Sequence, residues 1–189
     1  MTLERGNFRQ DTLVVADLTL RLDRPSSPEA LIDEEAFAHD EFLPYWAELW
    51  PAATALAEAL PDVAGLRVVE LGCGLGVPSL VAAARGAQVT ATDWAPDAIE
   101  LLRRNAAANG LDLRAEVRDW REPWDATFDL VLAADVLYER RNVAPLVERL
   151  RLLAPVALVG LAGRPYERAF LEQAGPGEEV APRVVRLRR

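Results

Sequence analysis

A doubly wound α/β fold, with a mostly parallel sheet and helices on both faces, is what this 189-residue sequence predicts, and three features predict it. Beyond residue 66, apolar runs of strand length alternate with amphipathic runs of helix length, the signature of successive βα units. The run Val68-Val69-Glu70-Leu71 empties into a loop with glycine at every second position, Gly72, Gly74 and Gly76. The next strand-like run, Val89-Thr90-Ala91-Thr92-Asp93, delivers a carboxylate at its tip. Glycines let a chain turn with φ > 0 and let a ligand approach without a Cβ in the way. A carboxylate at the end of the following strand can accept hydrogen bonds from both ribose hydroxyls. Together they point to a site for a nucleoside-bearing cofactor.

The elements follow in order. Residues 10–23 alternate apolar and polar, as in a hairpin. Residues 25–41 are acidic and proline-containing and read as a surface loop with some helix. Residues 1–42 are therefore expected to form an N-terminal extension, and residues 43–189 the main domain. Pro51 suits a first helical turn, and Pro61 and Gly65 close that helix off. Strand 66–71, helix 77–85 and strand 88–93 make the first unit. Helix 96–109 opens with Pro96 and stops at Asn109-Gly110, a favourable left-handed end. Strands 113–118 and 128–133 come next. A helix from about Asn142 repeats Val143, Leu146, Val147, Leu150 and Leu153 at i, i+3, i+4 spacing. Strand 156–161 is apolar throughout, as a central parallel strand is. Helix 165–174 and a last strand near 183–188 complete the chain.

Composition narrows the function. No apolar run reaches membrane-span length and Met1-Thr2-Leu3-Glu4-Arg5 lacks a signal-peptide pattern, so no membrane association is expected. The single cysteine suits a reducing, cytoplasmic setting. One histidine and one cysteine do not make the common zinc sites. A net charge of −9 argues against a general nucleic-acid-binding surface. All 21 basic residues are arginine, since the sequence contains no lysine.

The loop chemistry narrows the cofactor. Dinucleotide sites show G-x-G-x-x-G, whereas position 77 here is Val. A P-loop requires a lysine, which is absent. Pro78 also removes an N–H from the helix start that would face a pyrophosphate. A nucleoside without a phosphate bridge is favoured.

Further candidate residues gather where later strands end. Asp119-Trp120 follows the third strand, where the carboxylate would accept from an adenine amine and the tryptophan would cover the base. The alternative is a loop aspartate beside a half-buried tryptophan. The fourth strand ends in Ala134-Asp135-Val136-Leu137-Tyr138. The acidic stretch 33–41 either attracts a basic protein segment or is a solvated surface, the latter being the simpler reading.

Residues 68–76 resemble motif I, h-h-E/D-h-G-x-G-x-G, of the class I S-adenosyl-L-methionine (SAM) methyltransferases. Asp135-Val136-Leu137-Tyr138 resembles the D-x-x-Y signature of the seven-β-strand protein-lysine methyltransferases, methyltransferase family 16. Pro44-Tyr45-Trp46-Ala47-x-x-Trp50-Pro51 is similar to a segment of the electron transfer flavoprotein β-subunit lysine methyltransferase branch. Gly160-x-x-Gly163-Arg164-Pro165 is similar to that branch's G-D-P-G-R stretch, with Leu161-Ala162 in place of Asp-Pro. The resemblance runs from about residue 43 to 166. It implies a Rossmann-like, seven-stranded sheet and SAM as cofactor. It implies Trp50, Gly72, Cys73, Gly74, Asp93, Trp120 and Ala134 around that cofactor, and Asp135 and Tyr138 at the acceptor amine. The implied partner is a protein with an accessible lysine.

A carboxylate raises the pKa of a neighbouring amine, so Asp135 is expected to bind and orient the acceptor rather than to act as a strong base. Tyr138 would hold the amine by its hydroxyl or ring face, or else pack on the sheet. Trp46 and Tyr45 are expected to pack. The [DNS]-P-P-[YFW] motif of base-directed amino methyltransferases is absent at the fourth strand. A small-molecule N- or O-methyltransferase and a SAM-binding, non-catalytic interaction module remain as alternatives.

Overall fold

The computed structural model describes residues 8–26 and 45–189. The acidic stretch 33–41, His39 and the Leu43-Pro44 end of the Trp-Pro segment lie outside the described residues. Two strands, β1 (Phe8–Val15) and β2 (Leu18–Pro25), form an antiparallel hairpin. A 3-10 turn at Tyr45–Ala47 leads into α1 (Pro51–Glu58). The alternating part comprises β3 (Arg67–Leu71), α2 (Val77–Ala84), β4 (Gln88–Asp93), α3 (Pro96–Ala108), β5 (Arg114–Val117), β6 (Leu130–Ala134), α4 (Val143–Leu153), β7 (Val156–Gly160), α5 (Glu167–Ala174), β8 (Glu178–Ala181) and β9 (Val184–Arg188).

The main sheet has seven strands in the order β5-β4-β3-β6-β7-β9-β8. Pairings from β5 through β7 are parallel, and β9 joins β7 and β8 antiparallel. The strand order reverses direction at β3, between β4 and β6, which is where open α/β sheets build their crevice. Successive strand residues face opposite cores: Leu130 and Leu132 of β6 join the cluster containing α1, α2, α3 and the hairpin, while Val131 and Ala133 join the one under α4 and α5. Both faces being covered explains why these strands read as unbroken apolar runs.

Element bounds agree with the sequence reading to within about two residues, and one strand was missing from that reading. β8, Glu178-Glu179-Val180-Ala181, is an outermost strand with exposed glutamates and a register irregularity against β9. An edge strand of this kind has no buried face to imprint a period-two pattern.

The hairpin docks on α3 through two asparagines one helical turn apart. Asn105 accepts from the Asp23 N–H (2.7 Å) and donates to the Asp23 carbonyl (3.1 Å). Asn109 treats Arg21 in the same way, at 2.8 and 2.7 Å. A helix rises ~6 Å over four residues and a strand ~6.7 Å over two, so the two amides match alternate strand positions. Val15, Leu20 and Leu22 of the hairpin are buried in the same core as α1 and α2.

Candidate functional site

Every strand from β3 to β7 ends at the same side of the sheet, and a cleft of about 460 Å³ opens there. Its floor is the loop after β3. Gly72, Gly74 and Gly76 all have positive φ, at 65°, 51° and 72°. The turn is closed by Gly76 N–H donating to the Cys73 carbonyl (2.7 Å), and Cys73 N–H ties the loop to Thr92 of β4 (2.9 Å). A Cβ on Gly72 would lie 2.9 Å from Val136 Cγ1, and one on Gly74 would lie 3.1 Å from the Trp46 carbonyl oxygen. The glycines are thus required by close packing of neighbouring loops as well as by conformation.

Asp93 ends β4 and is buried. One oxygen accepts from Gly74 N–H (2.9 Å) and the other from Ala95 N–H (3.0 Å), which locks the carboxylate against the glycine loop. Burial raises its pKa, and the N–H groups of Ala95, Gly74 and Trp94 oppose that rise. Beneath the loop, Glu70 is fully buried. Its carboxylate accepts from Ser79 N–H (3.0 Å) and from the Ser79 hydroxyl. Desolvation pushes its pKa up to about 8, and the Ser79 bonds only partly resist. Burial likewise holds the Cys73 thiol well above its ordinary value, so it stays protonated and offers no thiolate nucleophile.

The wall at the end of β6 carries Ala134 and Asp135. Asp135 stands in the left-handed region at φ 52°, a conformation aspartate tolerates better than most residues. Its N–H donates to the Gly160 carbonyl of β7 (3.0 Å). Its side chain is 2% exposed and takes a two-pronged ion pair from Arg164, with Nε and Nη2 each at 2.7 Å. Arg164 sits in the loop after β7, and its guanidinium also lies over the Trp50 ring, 5.3 Å from the centroid. Tyr45 bridges the remaining aromatics, with ring centroids 6.3 Å from Trp50 and 5.8 Å from Tyr138. Trp50 Nε1 donates to the Tyr45 carbonyl (2.8 Å), fixing the turn that precedes α1. Burial, followed by the charge of Asp93, raises the Tyr138 pKa, so its hydroxyl remains protonated at neutral pH.

Trp50, Gly72, Cys73, Gly74, Asp93, Trp120, Ala134, Asp135 and Tyr138 therefore all line one cleft. Asp119 does not. Its carboxylate is taken by Arg121, two residues on, through Nε (2.9 and 3.0 Å), Nη2 (2.6 Å) and the backbone N–H (2.9 Å). Those bonds hold its pKa below the usual carboxylate value. Asp119 is therefore ion-paired beside the cleft and is not among the residues that line it. Trp120 is buried, and its carbonyl is held by Arg149 Nε at 2.9 Å.

The sequence reading missed Arg164 as a site residue, although its Gly160-x-x-Gly163-Arg164 surroundings were conspicuous. Tyr45, expected to pack in the core or as a lid, is 45% exposed and lines the cleft. Five acids, Glu48, Glu70, Asp93, Asp135 and Glu139, line the cleft against two arginines, Arg141 and Arg164. These acceptors suit a nucleoside carrying a positive centre, and the close-packed glycines leave backbone rather than side chain under it.

A family model described as lysine methyltransferase matches residues 45–167. The protein N-lysine methyltransferase METTL21A of Danio rerio is 36% identical over 121 residues, covering 57% of this chain and 55% of that protein. The electron transfer flavoprotein beta subunit lysine methyltransferase of Xenopus laevis is 38% identical over 118 residues, covering 57% of this chain and 46% of that one. The chain thus spans about half the length of these curated relatives. Among solved structures, the T. thermophilus 16S rRNA N2 G1207 methyltransferase RsmC, in complex with AdoMet and guanosine, superposes with a TM-score of 0.70 at 20% identity. That match covers 96% of this chain and 50% of RsmC, and it shows the shared fold. The match across residues 45–167, together with this fold and cleft, makes the chain a member of the lysine methyltransferase family, methyltransferase family 16.

Proposed function

We propose that this chain is a SAM-dependent protein-lysine N-methyltransferase. One observation carries the reading: a glycine loop locked to a strand-end carboxylate opens into the same cleft as an acid walled by aromatic rings. Gly72, Cys73 and Gly74 would hold the cofactor by their backbone, with Asp93 at the ribose and Trp50, Trp120 and Ala134 around it. SAM bound there would supply an electrophilic methyl group on a sulfonium, for transfer to an unprotonated amine. Asp135 and Tyr138 align the acceptor nitrogen, and alignment is most of what such a displacement asks of a protein. The net charge of −9 and Asp135-Val136-Leu137-Tyr138 at the end of β6 favour a protein acceptor over a nucleic acid. A lone, buried cysteine fits a reducing, cytoplasmic compartment. No helix among the described residues is long and apolar enough to cross a membrane.

The test is transfer from tritiated SAM into a heat-inactivated cell extract, separated into protein and small-molecule fractions. Label on lysine of a protein band is expected, and mass spectrometry then identifies the target. Because this chain has no lysine, such label is not its own. Label confined to small molecules would overturn the lysine reading and leave a small-molecule methyltransferase.

A further inference from the structure

Asp135 is the acid at the acceptor end of the cleft, yet it is not a bare carboxylate. Arg164 places one N–H on each of its oxygens, both at 2.7 Å. The arginine is braced from several sides. Its guanidinium stacks over Trp50 at the start of α1. The loop that carries it is pinned by Glu167 of α5, whose carboxylate accepts from Ala162 N–H (2.6 Å) and Gly163 N–H (2.8 Å). Fork geometry, stacking and a tethered loop make this a fixed element of the site, not a side chain that swings out when an acceptor arrives. Each Asp135 oxygen still has a lone pair for an incoming N–H.

We infer that Arg164 is a positioning residue that fixes Asp135 and offsets its charge, so that the acceptor amine enters a slot of balanced charge and sheds its proton more readily than beside a bare carboxylate. The inference rests on the proposed lysine acceptor. An alkylammonium has no lone pair, and a free lysine is neutral in only about one molecule in a thousand near pH 7.4. An unpaired carboxylate would deepen that deficit by favouring the charged amine, whereas a fixed cation beside it works in the opposite direction. The other charged and titratable groups near the slot come from separate elements: Tyr45 of the 3-10 turn and Glu48 just after it, Asp93 of β4, Arg121 after β5, Tyr138, Glu139 and Arg141 after β6, Glu167 of α5, and Arg183 before β9, whose guanidinium faces Gly163. Glu139 is paired with Arg141 and Arg121 with Asp119. Arg164 alone among the described residues forms an ion pair with Asp135.

The experiment is the pH profile of label transfer from tritiated SAM into the lysines of a heat-inactivated extract, for wild type, Arg164→Gln and Arg164→Lys, with melting curves to confirm folding and with the enzyme's own band excluded after electrophoresis, because Arg164→Lys gives the chain a lysine of its own. The Gln variant should reach half-maximal rate about one pH unit higher, giving about a tenfold deficit near pH 7 that closes in alkaline buffer. The Lys variant, which keeps the charge without the fork, should keep the wild-type midpoint at a lower plateau. A loss by the Gln variant that is equal at every pH, or no loss, would overturn the inference. So would a midpoint in the Lys variant displaced like that of the Gln variant. If the Gln variant does not fold, the Lys midpoint decides alone. Absence of lysine label with wild type would instead remove the lysine reading itself, an outcome distinct from the others.

Discussion

Asn105 holds Asp23 as a neighbouring strand would, its amide accepting the backbone N–H at 2.7 Å and donating to the carbonyl at 3.1 Å across 82 positions of sequence. Asn105 is fully buried, so truncation to alanine leaves two backbone groups of β2 without their partner. Asn105→Ala should cost about 1–3 kcal/mol in urea denaturation. A loss below a few tenths of a kcal/mol would mean that the hairpin is held by its apolar face alone.

Glu70 provides a test of buried ionisation. Its folded pKa of about 8 lies above the ordinary carboxyl value of 4.5. Its stabilising contribution is therefore complete below about pH 4.5 and is lost as pH rises through about 8. Glu70→Gln keeps an acceptor for Ser79 without the titration. The variant should gain on wild type by on the order of 1 kcal/mol per pH unit between pH 5 and 8, measured as unfolding free energy. A stability difference that does not change with pH would show that Glu70 is ionised throughout.

Gly160 ends β7 under α1, and a Cβ there would meet the Ala52 carbonyl oxygen at 2.7 Å. Backbone does not yield as a side-chain tip does, so Gly160→Ala should destabilise by about 1–3 kcal/mol. Displacement of α1 would also move Trp50, so SAM binding by calorimetry should weaken several-fold. Tight binding in the variant would show that Trp50 is positioned independently of α1.

Asp135→Asn preserves shape and tolerates the left-handed backbone, but removes the charge that Arg164 grips. SAM affinity should stay within a few-fold of wild type, while transfer into protein lysine should fall at least about a hundredfold. Undiminished transfer would refute the acceptor role given to Asp135.

The glycine loop and Asp93 were legible in the sequence because their requirements are local: a turn, a close approach and a strand tip nineteen residues on. The parallel core was legible because burial on both faces leaves a continuous apolar run. The Asp135–Arg164 pair joins residues 29 positions apart through the pairing of β6 with β7, and no periodicity encodes which cation a strand-end acid will meet. The pairing of Asp119 with Arg121, two residues on, was not read from the sequence, because a short-range ion pair leaves no periodic pattern. β8 was invisible because an exposed edge carries no pattern of burial.

The order of synthesis follows from where the clamp on Asp135 lies. A growing chain completes the glycine loop and Asp93 well before Arg164 leaves the ribosome, and β9, which flanks β7, emerges later still. The two halves of the cleft are thus completed at different points of synthesis, the glycine loop and Asp93 first and the cation beside Asp135 some seventy residues after Asp93.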